Sequence, residues 1–299
     1  MSSSSSSAAK GASRLARWWL LGRNRMNDPV VNVLKLNGVI TPPSRSPGQG
    51  RRGINADSLE KYLQNAFSKT LNPSAVAISI NSPGGSPGQS EAVYLRIREL
   101  SKESGIPVYT FAEDVAASGG YWILCAGDKI FAQYKTSIVG SIGVISSSFG
   151  VSRLASSWGI ERRVWTAGKA KLSAMDPFLD YTEDQEKRLK SILEDMHTNF
   201  IEAVKESRGD ALIDDEDELF SGKIWTGSQA AKVGIVDGTG TLSSTMKDMF
   251  GENVKLRAMN RPGSEFGLRD LLSPAFGSSR AAVDDALMMH IPSIPKILV

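Results

Sequence analysis

Short apolar runs separated by segments of helical periodicity restrict the architectures open to this 299-residue chain. Val30 to Leu36 is rich in β-branched residues, Leu59, Leu63, Ala66 and Phe67 recur at the spacing of one helix face, and Ala75 to Ile80 has the character of a buried strand. The turn Asn81-Ser82-Pro83-Gly84-Gly85 follows, then a helix carrying Val93, Ile97 and Leu100, then a strand from Pro107 to Phe111. Strands that alternate with helices join one sheet through crossovers. The chain is therefore predicted to be an α/β protein of right-handed βαβ units on a mostly parallel sheet. Further on, Ser118 follows a strand directly and opens an apolar helix from Tyr121 to Ala126, and Lys129 to Ala132 forms another short strand. The longest predicted helix runs from Thr182 to Arg208, with capping-box spacing between Thr182 and Gln185 and a stop at Gly209. Its stripe of Leu189, Ile192, Leu193, Met196, Phe200 and Val204 suits core packing or a subunit contact. A last αβ unit spans Thr226 to Asp237.

The length and 41% hydrophobic content suit one large domain or two small ones. Net charge is +3, but five basic residues and no acid fall within residues 1–27. Removing those five from the chain's 35 leaves 30 against 32 acidic residues, so the body has no electrostatic footprint for nucleic acid. The same N-terminal stretch is rich in Ser and Arg, the composition of an organelle transit peptide, with a mitochondrion favoured over a plastid. Its apolar stretch Trp18 to Leu21 is far below the about 20 residues a membrane span needs, and no other segment qualifies, so the expectation is a soluble protein with no transmembrane span. Cys125, the single cysteine, is expected to be a small buried hydrophobe in a reducing compartment. The predicted division is a targeting or disordered segment over 1–29, a catalytic domain over 30–250 and an extension over 251–299.

The run Val115-Ala116-Ala117-Ser118-Gly119-Gly120-Tyr121 places a serine at a strand-to-helix turn with glycine next, a geometry that projects the hydroxyl. The Gly119 amide falls at a helix N-terminus, where an unpaired N–H favours developing negative charge. The glycine turn after the strand ending at Ile80 offers a second amide, at Gly85, again at the carboxyl end of a parallel strand. A serine nucleophile needs a base. The chain has only two histidines, His197 and His290, and neither has a local reason to meet Ser118, although triad partners can converge from anywhere in a sequence. A lysine serves if its pKa falls by roughly 3 units, about 4 kcal/mol, which burial among apolar groups supplies. Lys171, followed by Leu172, Ala174, Met175, Pro177 and Phe178, has such a setting. With 35 basic residues in the chain, a solvated surface charge is the default for any one lysine, so spacing alone leaves the base open.

Five motifs in one order carry a resemblance: Asn81 to Gly85, Ala116 to Tyr121, Val139-Gly140-Ser141-Ile142-Gly143-Val144, Gly168-Lys169-Ala170-Lys171, and Trp225-Thr226-Gly227 to Gly234-Ile235-Val236-Asp237. Over about residues 30–250 the chain resembles the signal peptide peptidase A (protease IV) family. The resemblance implies a Clp/crotonase-like α/β fold and a Ser-Lys dyad, with Ser118 as nucleophile, Lys171 as general base and Lys169 as its near competitor. It also implies Ser141 as the residue that orients the lysine, Gly119 and Gly85 as the oxyanion hole, and no metal or other cofactor. Short members form homo-oligomers in which serine and lysine meet across a subunit interface, so a lone monomer is expected to be inactive. The implied activity is a serine endopeptidase acting on peptides, signal-peptide remnants or unfolded apolar segments through an acyl-enzyme. A crotonase-like acyl-thioester enzyme, or a catalytically silent oligomeric scaffold, would use the same fold.

Overall fold

A computed structural model describes residues 28–43, 53–168, 176–213 and 215–259. The N-terminal segment, Lys169, Lys171, His290 and the extension beyond residue 259 lie outside these. Among the described residues one sheet holds β1 (Val30–Asn37), β2 (Ala75–Ser82), β3 (Val108–Ala117), β4 (Lys129–Ala132), β5 (Ile138–Gly140), β6 (Ile224–Thr226), β7 (Gly238–Thr239) and β8 (Lys255–Ala258). The helices are α1 (Ala56–Ala66), α2 (Pro87–Ser104), α3 (Gly119–Leu124), α4 (Ser152–Ser157), α5 (Glu183–Arg208), α6 (Glu216–Leu219), α7 (Gly227–Lys232) and α8 (Leu242–Phe250). Strand order is β6-β5-β3-β2-β1-β8, with β4 on β3 and β7 on β4. Every pairing is parallel except β5 with β6, so the chain adopts the expected α/β fold with a mostly parallel sheet.

Alternation along the strands sends side chains to two apolar layers. Leu34, Leu36, Val76, Ile78 and Ile80 face the larger core with Leu59 and Leu63 of α1 and Val93 and Ile97 of α2. Val31, Val33, Ala77 and Phe111 face the opposite side, where Leu242 and Met246 of α8 cover them. The helices begin where the sequence supplies caps: the Asn55 side chain accepts from the Ser58 amide at 2.9 Å, and Thr182 and Gln185 form the anticipated capping box.

β3 is longer than apolar character alone predicts. Its first part, Tyr109 to Ala112, pairs with β4, and its last part, Val115 to Ala117, pairs with β5. The polar pair Glu113-Asp114 between them hides this continuation, because it sits where the register with β2 is irregular.

The stripe on α5 divides. Phe200 and Val204 are buried, and the Phe200 ring stacks on Trp122 with centroids 4.7 Å apart, whereas Ile192 is 53% exposed and Met196 also faces out. Only the C-terminal half of α5 packs on its own core.

That half ends in a buried polar link. Arg208 donates from Nε to the Gly234 carbonyl at 2.8 Å and pairs through Nη1 with Asp237 at 3.0 Å, while Asp237 also accepts from the Ile130 amide at 2.7 Å. Nearby, Tyr121 Oη donates to the Ile235 carbonyl at 2.7 Å. Cys125 is buried here as expected, and burial pushes its thiol up to about 12, so it is protonated at neutral pH. Burial also raises the Asp237 carboxyl, but the Ile130 amide and the Arg208 guanidinium outweigh it and hold the group below its ordinary 3.8. A depressed folded pKa contributes stability that is present above the unfolded value and lost as pH falls through the folded one. Accordingly, Asp237→Ala, which strands the buried Arg208 charge, should lower unfolding free energy at pH 7 by about 3 kcal/mol in urea denaturation. The difference between variant and parent should shrink as pH falls below 3.8 and on through the lower folded value, where the parent carboxylate takes up a proton.

Candidate active site

Ser118 stands where β3 ends and α3 begins, with φ 51° and ψ −124°, a backbone conformation that side-chain-bearing residues rarely adopt. Neighbouring bonds impose it. The Ser118 amide donates to the Gly140 carbonyl at 2.8 Å, and the Ser118 carbonyl accepts from the Trp122 amide at 3.0 Å. Every residue of α3 is buried, so the turn is fixed from behind. The result is a half-buried serine whose hydroxyl has no hydrogen-bond partner among the described residues.

The glycine turn lies against it. Gly84 and Gly85 have φ of 107° and 143°, and a Cβ placed on Gly84 would sit 2.9 Å from both the Gly119 nitrogen and the Ser118 Cβ. A side chain at Gly84 would therefore push into the elbow itself. Ile40 holds the turn from the other side: its amide donates to the Gly84 carbonyl at 2.8 Å and its carbonyl accepts from the Ser86 amide at 2.9 Å. A second bridge ties Ile40 to Ile54. The Gly84 amide is engaged by Ser82 Oγ at 3.2 Å, which leaves the exposed Gly85 amide and the Gly119 amide without partners among the described residues. Behind Gly119 stands Ser90, whose hydroxyl would be 2.2 Å from any added Cβ, so α2 and α3 approach as closely as glycine permits.

Ser141 belongs to the same cluster. It has φ 54°, its amide donates to the Lys223 carbonyl at 2.7 Å, and it follows Gly140, whose carbonyl holds the Ser118 amide. His197 on α5 reaches the next residue, with Nε2 3.1 Å from the Ile142 carbonyl, but no hydrogen bond joins it to Ser118. Ser118, Gly119, Gly85 and Ser141 thus converge at the carboxyl ends of β2, β3 and β5. Lys171 and Lys169 lie outside the described residues. Sequence reasoning missed Ile40, whose role comes only from long-range pairing. It also missed the part played by Ser82, which a serine two residues before a turn glycine could have signalled. Chemically, the cluster offers a hydroxyl beside two unpaired backbone donors, the components of nucleophilic attack with an oxyanion site.

The described residues of 143–168 and 176–181 form an arm that bonds mainly to itself: the Val151 amide donates to the Pro177 carbonyl at 2.7 Å, Ser152 Oγ to Asp180 at 2.5 Å, and Arg162 pairs with Asp176 at 3.1 Å. Large apolar side chains stand out from it, with Ile145 77% and Trp165 86% exposed. Among the described residues no helix is long and apolar enough to cross a membrane.

Comparison with known proteins gives this geometry a lineage. Peptidase family S49 matches residues 101–256, a span that holds Ser118 and Ser141 and begins after the glycine turn. The chain is 42% identical over 264 residues to proteins named Na(+)/H(+) antiporter NhaA from Brucella abortus and Brucella melitensis, covering 88% of this chain and 34% of each of theirs. It is 31% identical over 209 residues to a putative signal peptide peptidase SppA of Enterococcus faecium, covering 69% of this chain and 59% of that one. The chain thus spans about a third of the Brucella relatives and little more than half of the Enterococcus one. Among solved structures it is similar to the 1510-N membrane-bound stomatin-specific protease, at 16% identity and a TM-score of 0.45 over 79% of this chain and 99% of that one. The bacterial relatives overturn the organelle expectation. Those relatives come from cells with no mitochondrion or plastid to receive an import segment, so the Ser- and Arg-rich composition of residues 1–27 does not support an organelle address. With the family match covering residues 101–256, about half its length, the chain belongs to peptidase family S49, the serine peptidase family of signal peptide peptidase A.

Proposed function

We propose that the chain is a serine endopeptidase working through a Ser118–Lys171 dyad, with residues 30–250 as its catalytic module. The observation that carries the reading is the strained Ser118 elbow with the unpaired Gly85 and Gly119 amides beside it. Lys171 takes its role from the Gly168 to Lys171 motif. As the neutral amine it removes the Ser118 proton, the alkoxide attacks a peptide carbonyl, and the two amides hold the resulting oxyanion. The lysine ammonium then protonates the departing amine, and water, activated by the same lysine, hydrolyses the acyl-enzyme. Ser141, the residue after the elbow's anchoring carbonyl, orients the amine. No metal or other cofactor takes part in these steps. Extended apolar peptides, whether signal-peptide remnants or unfolded segments, are the substrates, since an extended chain can pair its backbone beside the strand ends that carry the site.

The exposed arm supports a homo-oligomer with active sites at its subunit interfaces. Trp158, Trp165, Ile145 and Ile192 together leave an apolar surface that a second copy would cover. In that arrangement Lys171 of one subunit would meet Ser118 of a neighbour.

Two experiments test the reading. With a fluorogenic apolar peptide, Ser118→Ala and Lys171→Ala should each lower kcat/KM by roughly 10⁴-fold, and Ser118→Ala should abolish labelling by a fluorophosphonate. Undiminished turnover in both variants would sink the dyad. Separately, Ile145→Asp combined with Trp165→Asp should shift the protein to monomers in light scattering and remove turnover with it. Monomers that keep full activity would rule out the shared site.

A further inference from the structure

We propose that Asn81 and Asp114 act as a positioning pair that fixes the Ser118 elbow relative to the oxyanion turn, a role that rests on the peptidase reading above. The register of β2 with β3 carries the inference. Ile80 lies opposite Ala112 and Ser82 opposite Ala116, so β2 advances two residues while β3 advances four. The surplus backbone from Glu113 to Val115 cannot use the regular ladder, and an unpaired bulge would leave the end of β3 free to shift.

The Asn81 side chain occupies that gap. Its Oδ1 accepts from the Val115 amide at 3.2 Å, and its Nδ2 donates to Asp114 Oδ2 at 3.0 Å. From the other side of the bulge, Ser137 Oγ donates to the Glu113 carbonyl, and the Gln133 amide donates to the Ala112 carbonyl at 2.8 Å. Past Val115, β3 aligns with β5, and Gly140 can then accept the Ser118 amide. The main chain of Asn81 leads into Ser82, Pro83 and the Gly84-Gly85 turn, while its carbonyl accepts from the Gly38 amide at 3.0 Å. One residue therefore grips both strands: its backbone starts the turn that presents the Gly85 amide, and its side chain sets where β3 delivers Ser118.

This task needs one acceptor and one donor on a short planar group, which asparagine has and aspartate lacks. Displacement of a reacting group by about 1 Å can cost on the order of 100-fold in rate, so the pair acts on catalysis without touching substrate.

The experiment is a donor–acceptor swap. Asn81→Asp sets two carboxylates against each other, while the double variant Asn81→Asp, Asp114→Asn restores one donor and one acceptors-only partner in reversed order. In the intact oligomer at pH 8, the single variant should lose at least tenfold in kcat and in the rate of Ser118 labelling by a fluorophosphonate, with KM within about twofold of the parent. The double variant should regain kcat to within about threefold. Amide hydrogen exchange over residues 113–120 should rise in the single variant and return in the double. A single variant with parental kcat and exchange, or a double variant no better than the single, overturns the proposal. If the parent itself is not labelled at Ser118, the peptidase reading fails instead, and the exchange measurement alone decides whether the pair holds the elbow.

Discussion

Parallel pairing of β2 with β3 is the constraint on which the rest of the molecule depends. Two neighbouring strands running the same way must finish at the same edge of the sheet, so the turn leaving one and the elbow leaving the other are brought together without any dedicated contact. Everything near that edge refines the coincidence. Ile40 clamps the glycine turn, Gly140 holds the serine amide, and the buried α3 prevents the elbow from relaxing backward. Helices α1 and α2 supply the apolar surface that keeps β1, β2 and β3 together, and α8 closes the opposite face.

The mode of attachment changes along the chain. Among the described residues the most buried ion pair is Arg208 with Asp237, joining the end of α5 to the segment leading into β7. The arm is built differently. Its hydrogen bonds and ion pairs run within the arm, and its large apolar residues point away from the core. His197 touches the seam between the two, through the carbonyl of Ile142. The division separates a body held by its own core from a surface whose large apolar side chains stay exposed.

Much of the body was legible in the sequence because its elements are long and regularly patterned. Runs such as Ala75 to Ile80, and the repeated spacing of Leu59, Leu63 and Ala66, report directly which face is buried. Short strands report nothing of the kind: β5, β6 and β7 hold two or three residues each and are defined by what they pair with. Periodicity likewise could not divide the α5 stripe, since core packing and a subunit contact require the same apolar spacing. For the candidate site, Ser118, Gly119 and Gly85 could be singled out because glycine beside a strand end is a local signal. Ile40 could not, because its importance exists only once residues far apart in the chain have paired. The composition of residues 1–27 misled for a related reason: Ser and Arg without acid describe a segment's solvation, and say little about which machinery reads it.

The positive φ of Ser118 has a consequence for how such a chain changes over generations. Glycine occupies that conformation without strain, while serine there costs about 1 to 3 kcal/mol. Backbone strain alone would therefore favour replacing this serine, and under the proposed mechanism the need for its hydroxyl opposes the replacement. In a lineage released from that need, position 118 is where the loss should be recorded first, ahead of the buried residues that the fold requires for its own sake.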